Sequence, residues 1–398
     1  MRLARVAEVV AAVLTVGALC WPARAIDDAS YTRARVMIDR AIAWLRTQQD
    51  AATGGFAVNP EGPQYPAITG LVVNGFLMDP RIDAGDETVA RAVGFILKHR
   101  QPDGGIYDRV LPSYNTAICL SALSRVNRPE AAEAIEPAIA FLRSLQWSED
   151  AREGADGETG RVSREHPFYG GVGYGRHGRP DNSNLGVYIQ ALHDAGLSCD
   201  DAAFRRALVF LERTQMDDRV NPMPYAQGSR QGGFVYATAE NKDTVGRGQS
   251  MAGEIEETLS DGTRASRLRA YGSMTYNGFK SMIYANLPRD DQRVRLAYDW
   301  LRRNYTVAEN PGLGTDGMYY YFLTMSRALD AWGPATIETL DAEGRPGAVR
   351  DWQNDLVARL AELQNEDGSF RSVDDRWMEN NPVLITAYAL LALQHAVE

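Results

Sequence analysis

One short pattern recurs along almost the whole chain, and it restricts the folds available to this sequence more than any other feature. It consists of an aromatic residue or Arg, then Leu, three further residues and Gln, and it ends an amphipathic stretch with helical spacing of its apolar residues. Four clear copies and two looser ones are Trp44-Leu45 to Gln49, Phe141-Leu142 to Gln146, Phe210-Leu211 to Gln215, Arg359-Leu360 to Gln364, Phe95-Ile96 to Gln101 and Trp300-Leu301 to Tyr305. We therefore predict six amphipathic helices.

A glycine-rich turn and a second, more apolar helix follow each copy of the pattern. Glycine permits the positive φ angles of helix ends and tight turns. An amphipathic helix followed by one that is apolar nearly all round predicts an outer and an inner partner. The repeat length varies and the last helix is apolar rather than a polar cap, which favours closure into an all-α (α/α)6 toroid, with six inner helices within six outer ones. The inner helices should begin near Pro66, Ser113, Asn182, Ser273, Asp316 and Pro382.

Two long insertions interrupt the repeats, at residues 148–178 and 227–271. Each lies between an outer helix and the next inner helix. Alternating connectivity therefore predicts that both emerge at the end of the barrel where the inner helices begin. Long loops gathered at one mouth commonly carry function, so this mouth is where we expect a site.

The first 25 residues have the layout of a secretory signal peptide. Arg2 and Arg5 precede an apolar stretch, and Ala23-Arg24-Ala25 offers small residues for cleavage. We predict that the protein is exported, to the periplasm or outside the cell. Residues 26–398 should form a single toroid domain with no membrane-spanning segment.

Composition argues against several classes of protein. The 398 residues include 42 Lys and Arg against 52 Asp and Glu, whereas a general nucleic-acid binder needs a surplus of cations. No cluster of His, Cys and Asp has metal-ligand spacing, so we expect no metal and no other cofactor. Cys119 and Cys199 should lie about 15 Å apart along parallel inner helices, which predicts two free thiols. The sequence does not show whether the protein has a protein partner.

The repeat resembles the one shared by prenyltransferases and squalene cyclases. The likeness is clearest where Leu360 to Gln364 is followed by Gly368-Ser369-Phe370, and it spans most of residues 30–398. It implies a toroid of the terpenoid cyclase type, with an active cavity at the mouth for a small-molecule or lipid ligand. The Asp-x-Asp-Asp motif of the cyclases, the Asp-x-Cys zinc ligands of the protein prenyltransferases and the Cys-Gly-Glu-Gln motif of thioester relatives are all missing. The reactive residues of the family therefore do not carry over.

Two residues are candidates for catalysis. Asp181 opens an inner helix directly after the first insertion, and His166, within that insertion, can act as a general acid or base near neutral pH. Both also have simpler interpretations. Asp181 is a good N-cap, and the helix N-terminus would then lower its pKa and make it a poor general acid. His166 can equally be a structural loop residue.

Candidate ligand-binding residues are the polar and aromatic positions that the toroid places near the mouth. Helix capping alone can explain many of them, although six converging N-termini would also favour an anionic group there. Lys280 should either point into the cavity towards a carboxylate or extend to the rim of the barrel. The candidates are Tyr114, Asn115, Asn182, Asn184, Tyr276, Asn277, Lys280, Tyr320 and Asn381.

Three functions are compatible with these residues. The first is an enzyme-like barrel that binds or converts an isoprenoid or another hydrophobic ligand in a deep aromatic cavity. The second is a carbohydrate-active (α/α)6 hydrolase or lyase, which needs two carboxyl groups roughly 5–10 Å apart across the mouth, from residues such as Asp181, Glu240 and Glu254. The third is a non-catalytic binding or scaffold protein on the same fold.

Overall fold

The computed structural model describes residues 26–57, 62–151, 160–175 and 177–398, so the predicted signal peptide lies outside the described residues. This part of the chain contains twelve α-helices, which alternate between outer and inner positions. The outer helices are α1 (Asp28–Thr47), α3 (Glu87–Lys98), α5 (Pro129–Leu145), α7 (Ala202–Thr214), α9 (Gln292–Arg303) and α11 (Trp352–Leu363). The inner helices are α2 (Pro66–Leu77), α4 (Pro112–Leu123), α6 (Asn182–Asp194), α8 (Gly272–Tyr284), α10 (Met318–Trp332) and α12 (Pro382–Val397).

The inner helices form a closed ring. Each packs against the next from α2 to α12, and α12 packs against α2. The outer helices cover this ring, with α1 on α12, α3 on α2, α5 on α4 and α9 on α8. The predicted (α/α)6 toroid is confirmed.

Burial explains why the two kinds of helix differ in sequence. In α12 every residue from Val383 to Ala396 is buried, because outer and inner helices surround it. In α9 the buried residues are Val294, Ala297, Trp300 and Leu301, which form one stripe. A helix covered on all sides can be apolar all round, whereas an outer helix keeps a polar face towards water.

In four of the six repeats, the Gln joins its outer helix to the next one around the ring. The side-chain amide of Gln364 donates to the carbonyl of Gly368 in its own turn (3.2 Å) and to that of Met37 in α1 (2.9 Å). Gln49, Gln146 and Gln215 make the same pair of bonds, one to a glycine carbonyl and one to the next outer helix. The bond from Gln364 to α1 spans the junction between the last and the first repeat.

The described residues also form three two-stranded antiparallel sheets. The all-α prediction did not include these strands. The first two sheets belong to the loop between α7 and α8, and the third connects α10 to α11. The third lies at the opposite end of the barrel from the insertions. The pairs are β1 (Gln215–Asp217) with β2 (Arg230–Phe234), β3 (Glu254–Thr258) with β4 (Arg264–Leu268), and β5 (Thr336–Leu340) with β6 (Pro346–Asp351).

The two insertions contact each other where the inner helices begin. Trp147 and Phe168, at the first insertion, pack with Ala239 of the second. Asn182, the first residue of α6, donates its backbone N–H to the carbonyl of Tyr236 (2.8 Å). The two segments together wall one mouth of the barrel.

Two smaller predictions concern the cysteines and the membrane. Cys119 and Cys199 are both free thiols, as predicted. Across the described ranges, no helix combines the length and the apolar character that crossing a bilayer requires.

Candidate functional site

A cavity of about 420 Å³ opens at the mouth where the inner helices begin. We call it the tyrosine cavity, because its wall includes Tyr65, Tyr114, Tyr174, Tyr236, Tyr271, Tyr320 and Tyr388, with Trp377 beside them. Aliphatic and thioether side chains fill most of the rest of the wall: Ala67, Ile68, Leu71, Leu111, Ile118, Met251, Met274, Met378 and Leu384. Its size and lining suit an apolar molecule that makes a few polar contacts.

The tyrosines of the wall contact one another. The rings of Tyr114 and Tyr174 stack with 5.9 Å between their centroids. The hydroxyl of Tyr320 lies 3.1 Å from Ser183 Oγ, and that of Tyr236 lies 3.5 Å from the hydroxyl of Tyr174. Burial raises the pKa of Tyr320 well above its usual value, so its hydroxyl stays protonated and neutral.

Glu379 has the only carboxyl group among the described residues of the cavity wall. It lies just before α12, and its carboxylate accepts hydrogen bonds from the backbone N–H groups of Tyr319 (3.1 Å) and Tyr320 (2.8 Å) at the start of α10. The N-cap residue of α10, Gly317, has no side chain for this purpose. Glu379 therefore caps α10 from a different part of the chain.

Burial raises the pKa of Glu379 to about 7, and the backbone hydrogen bonds act in the opposite direction. A substantial fraction of this carboxyl group is thus protonated near neutral pH, which is the condition under which a side chain can both give and take a proton. Glu379 was not predictable from its local sequence, because the helix that it caps starts about sixty residues earlier in the chain.

Asp181 is fully buried and is the N-cap of α6, as one of the two interpretations predicted. Its carboxylate accepts from the backbone N–H of Asn184 (2.9 Å) and from the side-chain amide of the same residue. The expected direction of its pKa is wrong: burial raises the pKa of Asp181 to about 6, because desolvation of the charged form outweighs the hydrogen bonds and the charge of Arg179. Asp181 lies behind the cavity wall and does not line it.

Strained backbone borders the opening. Arg109 and Leu111 on one side have φ angles of 58° and 50°, and Trp377 and Met378 on the other have 55° and 68°. Residues with a Cβ adopt this conformation at a cost, and such positions cluster at functional sites. Leu111, Trp377 and Met378 line the cavity and are also exposed, so its apolar surface continues to the solvent.

Asparagine side chains cap several of the inner helices. Asn115 Oδ1 accepts from the backbone N–H of Ala67 in α2 (2.9 Å), and Asn310 Oδ1 accepts from that of Ser273 in α8 (3.0 Å). Asn381 is the N-cap of α12. These N–H groups are satisfied within the protein, so they are not free to bind the anionic group expected at the mouth.

Asn182, Asn184 and Asn277 link α6 to its neighbours instead of facing the tyrosine cavity. Asn182 Nδ2 donates to the carbonyl of Val235 (2.7 Å), and Asn277 Nδ2 donates to the carbonyl of Asn182 (2.6 Å). Asn184 holds the carboxylate of Asp181. All three are buried.

Tyr276 and Lys280 lie deeper along α8. The ring of Tyr276 packs edge-on against Tyr321, 5.7 Å away, and does not reach the cavity. Lys280 is buried and donates to Gln190 Oε1 (2.8 Å) and to the carbonyl of Gly186 (3.4 Å). Lys280 therefore points into the interior of the barrel and does not extend to the rim, but its hydrogen-bond partners are uncharged oxygens and not the predicted carboxylate.

His166 lies outside the cavity wall. Its ring stacks on Trp147 with 6.1 Å between centroids, and its Nδ1 accepts from the backbone N–H of Phe168 (3.1 Å). Partial burial, with a smaller effect of the Arg213 charge, lowers the pKa of His166. These contacts match the structural interpretation of His166 rather than the catalytic one.

The acidic residues of the second insertion do not reach the tyrosine cavity either. Glu240 and Glu254 are both exposed, and neither lines it. Together with the position of Asp181 behind the wall, this means that the described residues do not bring a pair of carboxyl groups to face each other across the cavity.

A group of possible metal ligands lies at the opposite end of the barrel. Ligand atoms of Asp330, His395 and Glu398 all lie within 4.8 Å of one another. His395 Nδ1 is 2.8 Å from Asp330 Oδ2 and 3.6 Å from Glu398 Oε2. The hydrogen bond between His395 and Asp330 accounts for the closeness of these groups without a metal.

Comparison with known proteins adds information on the fold. Neither a protein-family model nor a curated protein sequence matches the chain. A solved structure with a similar fold is a variant of the type II terpene cyclase MstE from Scytonema, in complex with its substrate geranylgeranyl dihydroxybenzoate. It has a TM-score of 0.52 and 15% sequence identity, and the match covers 93% of this chain and 98% of that one.

Another similar structure is an inactive variant of an α-1,6-mannanase of Salegentibacter sp. HEL1_6 in complex with α-1,6-mannotriose. Its TM-score is 0.54 at 10% identity, over 91% of this chain and 99% of that one. Both proteins share the overall arrangement of helices, whereas one binds an isoprenoid compound and the other a sugar. At these identities the likeness shows the fold alone: the chain forms an α/α toroid that matches a type II terpene cyclase over almost its whole length.

Proposed function

We propose that this protein binds an elongated apolar molecule of the isoprenoid type in the tyrosine cavity, and that Glu379 transfers a proton to it. The observation that carries the proposal is the cavity itself, whose aromatic and aliphatic wall contains a single carboxyl group among the residues that the structure describes. Such a wall desolvates an apolar chain well and offers few partners to a polyhydroxylated sugar.

The arrangement suits proton transfer to a carbon–carbon double bond. The protonated Glu379 gives its proton to one carbon of the double bond, which forms a C–H bond and leaves a cation on the other carbon. Aromatic faces stabilise a cation, and the N–H groups of Tyr319 and Tyr320 stabilise the carboxylate that remains. Return of a proton from a neighbouring carbon to Glu379 restores a double bond, so the net reaction is an isomerisation or a ring closure.

Glycoside hydrolysis lacks the corresponding support. Hydrolases of this kind use two carboxyl groups on either side of the scissile bond. Asp181 lies behind the wall, Glu240 and Glu254 are exposed on the second insertion, and only Glu379 lines the cavity within the described chain.

Incubation of the purified protein with geranylgeraniol in D₂O tests the proposal. Because the proton on Glu379 exchanges with solvent, we expect products isomeric with the substrate that carry one deuterium, detected by gas chromatography and mass spectrometry. Glu379→Gln cannot give a proton, so we expect conversion to fall about 100-fold or more while geranylgeraniol still binds.

Asp375→Asn is the matched control, because Asp375 is an exposed acid on the same loop and does not line the cavity. It should convert the substrate at the wild-type rate. Equal conversion by the wild type and Glu379→Gln, or bound geranylgeraniol without any deuterium incorporation, would contradict the role of Glu379.

A further inference from the structure

A second and much smaller cavity lies below the tyrosine cavity along the axis of the barrel. We call it the floor chamber; its volume of about 20 Å³ is enough for one group of the size of a water molecule. The inner helices α2, α4, α6, α8 and α10 each contribute a polar residue to the wall of the floor chamber. On each helix this residue lies one or two turns further from the mouth than the residues that line the tyrosine cavity. These residues are Asn74, Ser121, Gln190, Lys280 and Arg327. The two cavities share the side chains of Leu71, Tyr114, Ile118, Tyr320 and Tyr388, which separate them.

Two cationic side chains line this chamber without an ion pair. Among the described residues, neither Lys280 nor Arg327 has a carboxylate oxygen within 4 Å. The ammonium group of Lys280 donates to the neutral oxygens of Gln190 and Gly186. The Nε of Arg327 is buried and has no hydrogen-bond partner within the described part of the chain. A buried cation in this state is costly unless something completes its surroundings.

One partly buried carboxylate lies nearby, and it already accepts hydrogen bonds from other side chains. Asp194 accepts from Ser121 Oγ (2.7 Å) and from Gln190 Nε2 (2.9 Å), and His193 lies 3.6 Å from it. Its single negative charge does not balance Arg327 together with a protonated Lys280. Burial and the neighbouring Arg327 lower the pKa of Lys280 well below its usual value, and the carboxylate of Asp194 offsets this only in part.

We infer that the floor chamber is a subsite for a small anionic group, and that the ligand of the tyrosine cavity presents this group as a carboxylate at one end of its apolar chain. The chamber has room for one carboxylate oxygen between Lys280 and Arg327. The apolar chain would then run upward through the tyrosine cavity towards the mouth. The position of the ligand's apolar chain in the tyrosine cavity rests on the proposed function, whereas the anion subsite follows from the floor chamber alone.

Binding of two matched probes tests the inference. Geranylgeranoic acid and geranylgeraniol share one chain and differ in the end group, so the wild type should bind the acid at least about 10-fold more tightly. Arg327→Gln should remove this preference and leave the affinity for the alcohol unchanged. Arg125→Gln is the matched control, because Arg125 is an exposed arginine within electrostatic range of Arg327, and it should keep the preference. Equal affinity for the two probes in the wild type would overturn the assignment of the carboxylate.

Bromide tests the anion subsite independently of the apolar chain of the ligand. At constant ionic strength, replacement of gluconate by bromide should raise the Tm of the wild type and of Arg125→Gln, but not that of Arg327→Gln or Lys280→Gln. If neither isoprenoid probe binds, the proposed function fails, yet this bromide effect would still support the anion subsite. The same Tm shift in all four proteins, or no shift in any of them, would overturn the subsite.

Discussion

At the residue scale, the neighbours of a buried carboxyl group decide whether its pKa is raised or lowered. Asp79 is as buried as Asp181, but hydrogen bonds from Arg81, together with Arg35, keep the pKa of Asp79 low. Glu379 is held by backbone N–H donors of a helix, and burial raises its pKa to about 7. A carboxyl group without a bonded cation is the one that can carry a proton at neutral pH.

This difference predicts how stability depends on pH. Between about pH 4 and pH 7 the folded state keeps a proton on Glu379 that the unfolded chain has already released, so the wild type loses stability as the pH rises through this window. Glu379→Gln has no such proton. We expect the free energy of unfolding of the variant, relative to the wild type, to increase by an amount on the order of 3 kcal/mol between pH 5 and pH 8.

Urea unfolding of the two proteins at both pH values measures this change. Asp375→Asn, with its exposed side chain, should follow the wild type at both. A difference between Glu379→Gln and the wild type that stays constant with pH would mean that the pKa of Glu379 is not raised in the folded state.

The position of Tyr114 and Tyr320 at the mouth was predictable from the repeat, whereas the role of a single side chain was predictable only where its partner is close in the sequence. The capping role of Asp181 was predictable because its partner, Asn184, is three residues away. The direction of its pKa was not, because it depends on how completely distant segments bury it. Glu379 and Arg327 were missed for the same reason: nothing near them in the sequence shows that Glu379 caps α10 or that Arg327 lines a chamber.

At the scale of elements, the structure explains the repeat signature. Beyond the Gln bonds between outer helices, the first glycine of the turn lies against a carbonyl of the next outer helix in five of the six repeats, Gly312 being the exception. Gly368 has a φ of 96°, and a Cβ added there would lie far inside van der Waals contact with the carbonyl oxygen of Arg40 in α1. The signature was recognisable because the same two contacts recur, although the sequence alone did not indicate what they are.

Two glycine substitutions separate the effect of backbone conformation from that of contact. Gly344, in the hairpin β5–β6, has a φ of 81° with nothing near the position of an added Cβ, so Gly344→Ala pays only the conformational cost of about 1 kcal/mol. Gly368→Ala also pushes α1 away from the turn. We expect it to cost about 3 kcal/mol or more, as measured by denaturant unfolding. Equal costs for the two would show that the contact with Arg40 does not hold α1 in place.

The Gln at the ring junction allows a parallel test. Gln364→Ala removes two hydrogen bonds and leaves the carbonyls of Met37 and Gly368 without these donors, which should cost about 1–3 kcal/mol. Gln292→Ala, at an exposed position of α9, should cost less than about 0.5 kcal/mol. Thermal unfolding of both variants measures the difference, and comparable losses would mean that the Gln bond does not stabilise the closed ring.

At the scale of the whole molecule, closure gives six inner helices that start at one mouth and line one axis. The number of helical hairpins, the two helix types and their alternation were all predictable from the pattern of apolar residues. A helix that is buried on all sides is apolar all round, and this is visible in the sequence. The stacked cavities did not follow from it. They depend on which side chains point inward and on how the two insertions fold over the mouth.

Filling the tyrosine cavity should abolish its function without disturbing the toroid. Ala67 lies in the first turn of α2 and faces the cavity, so Ala67→Phe places a ring where the ligand would lie. Ala132→Phe adds the same ring at an exposed position of α5 and is the control. Circular dichroism and Tm establish that both variants are folded.

The measurement that tests the central claim most directly is equilibrium binding of geranylgeraniol and of α-1,6-mannotriose to the wild type and to these two variants by calorimetry. We predict that geranylgeraniol binds one to one, that Ala67→Phe weakens its binding by about 10-fold or more while Ala132→Phe does not, and that mannotriose does not bind. Binding of mannotriose without geranylgeraniol, or geranylgeraniol binding that Ala67→Phe leaves unchanged, would contradict the assignment of the tyrosine cavity.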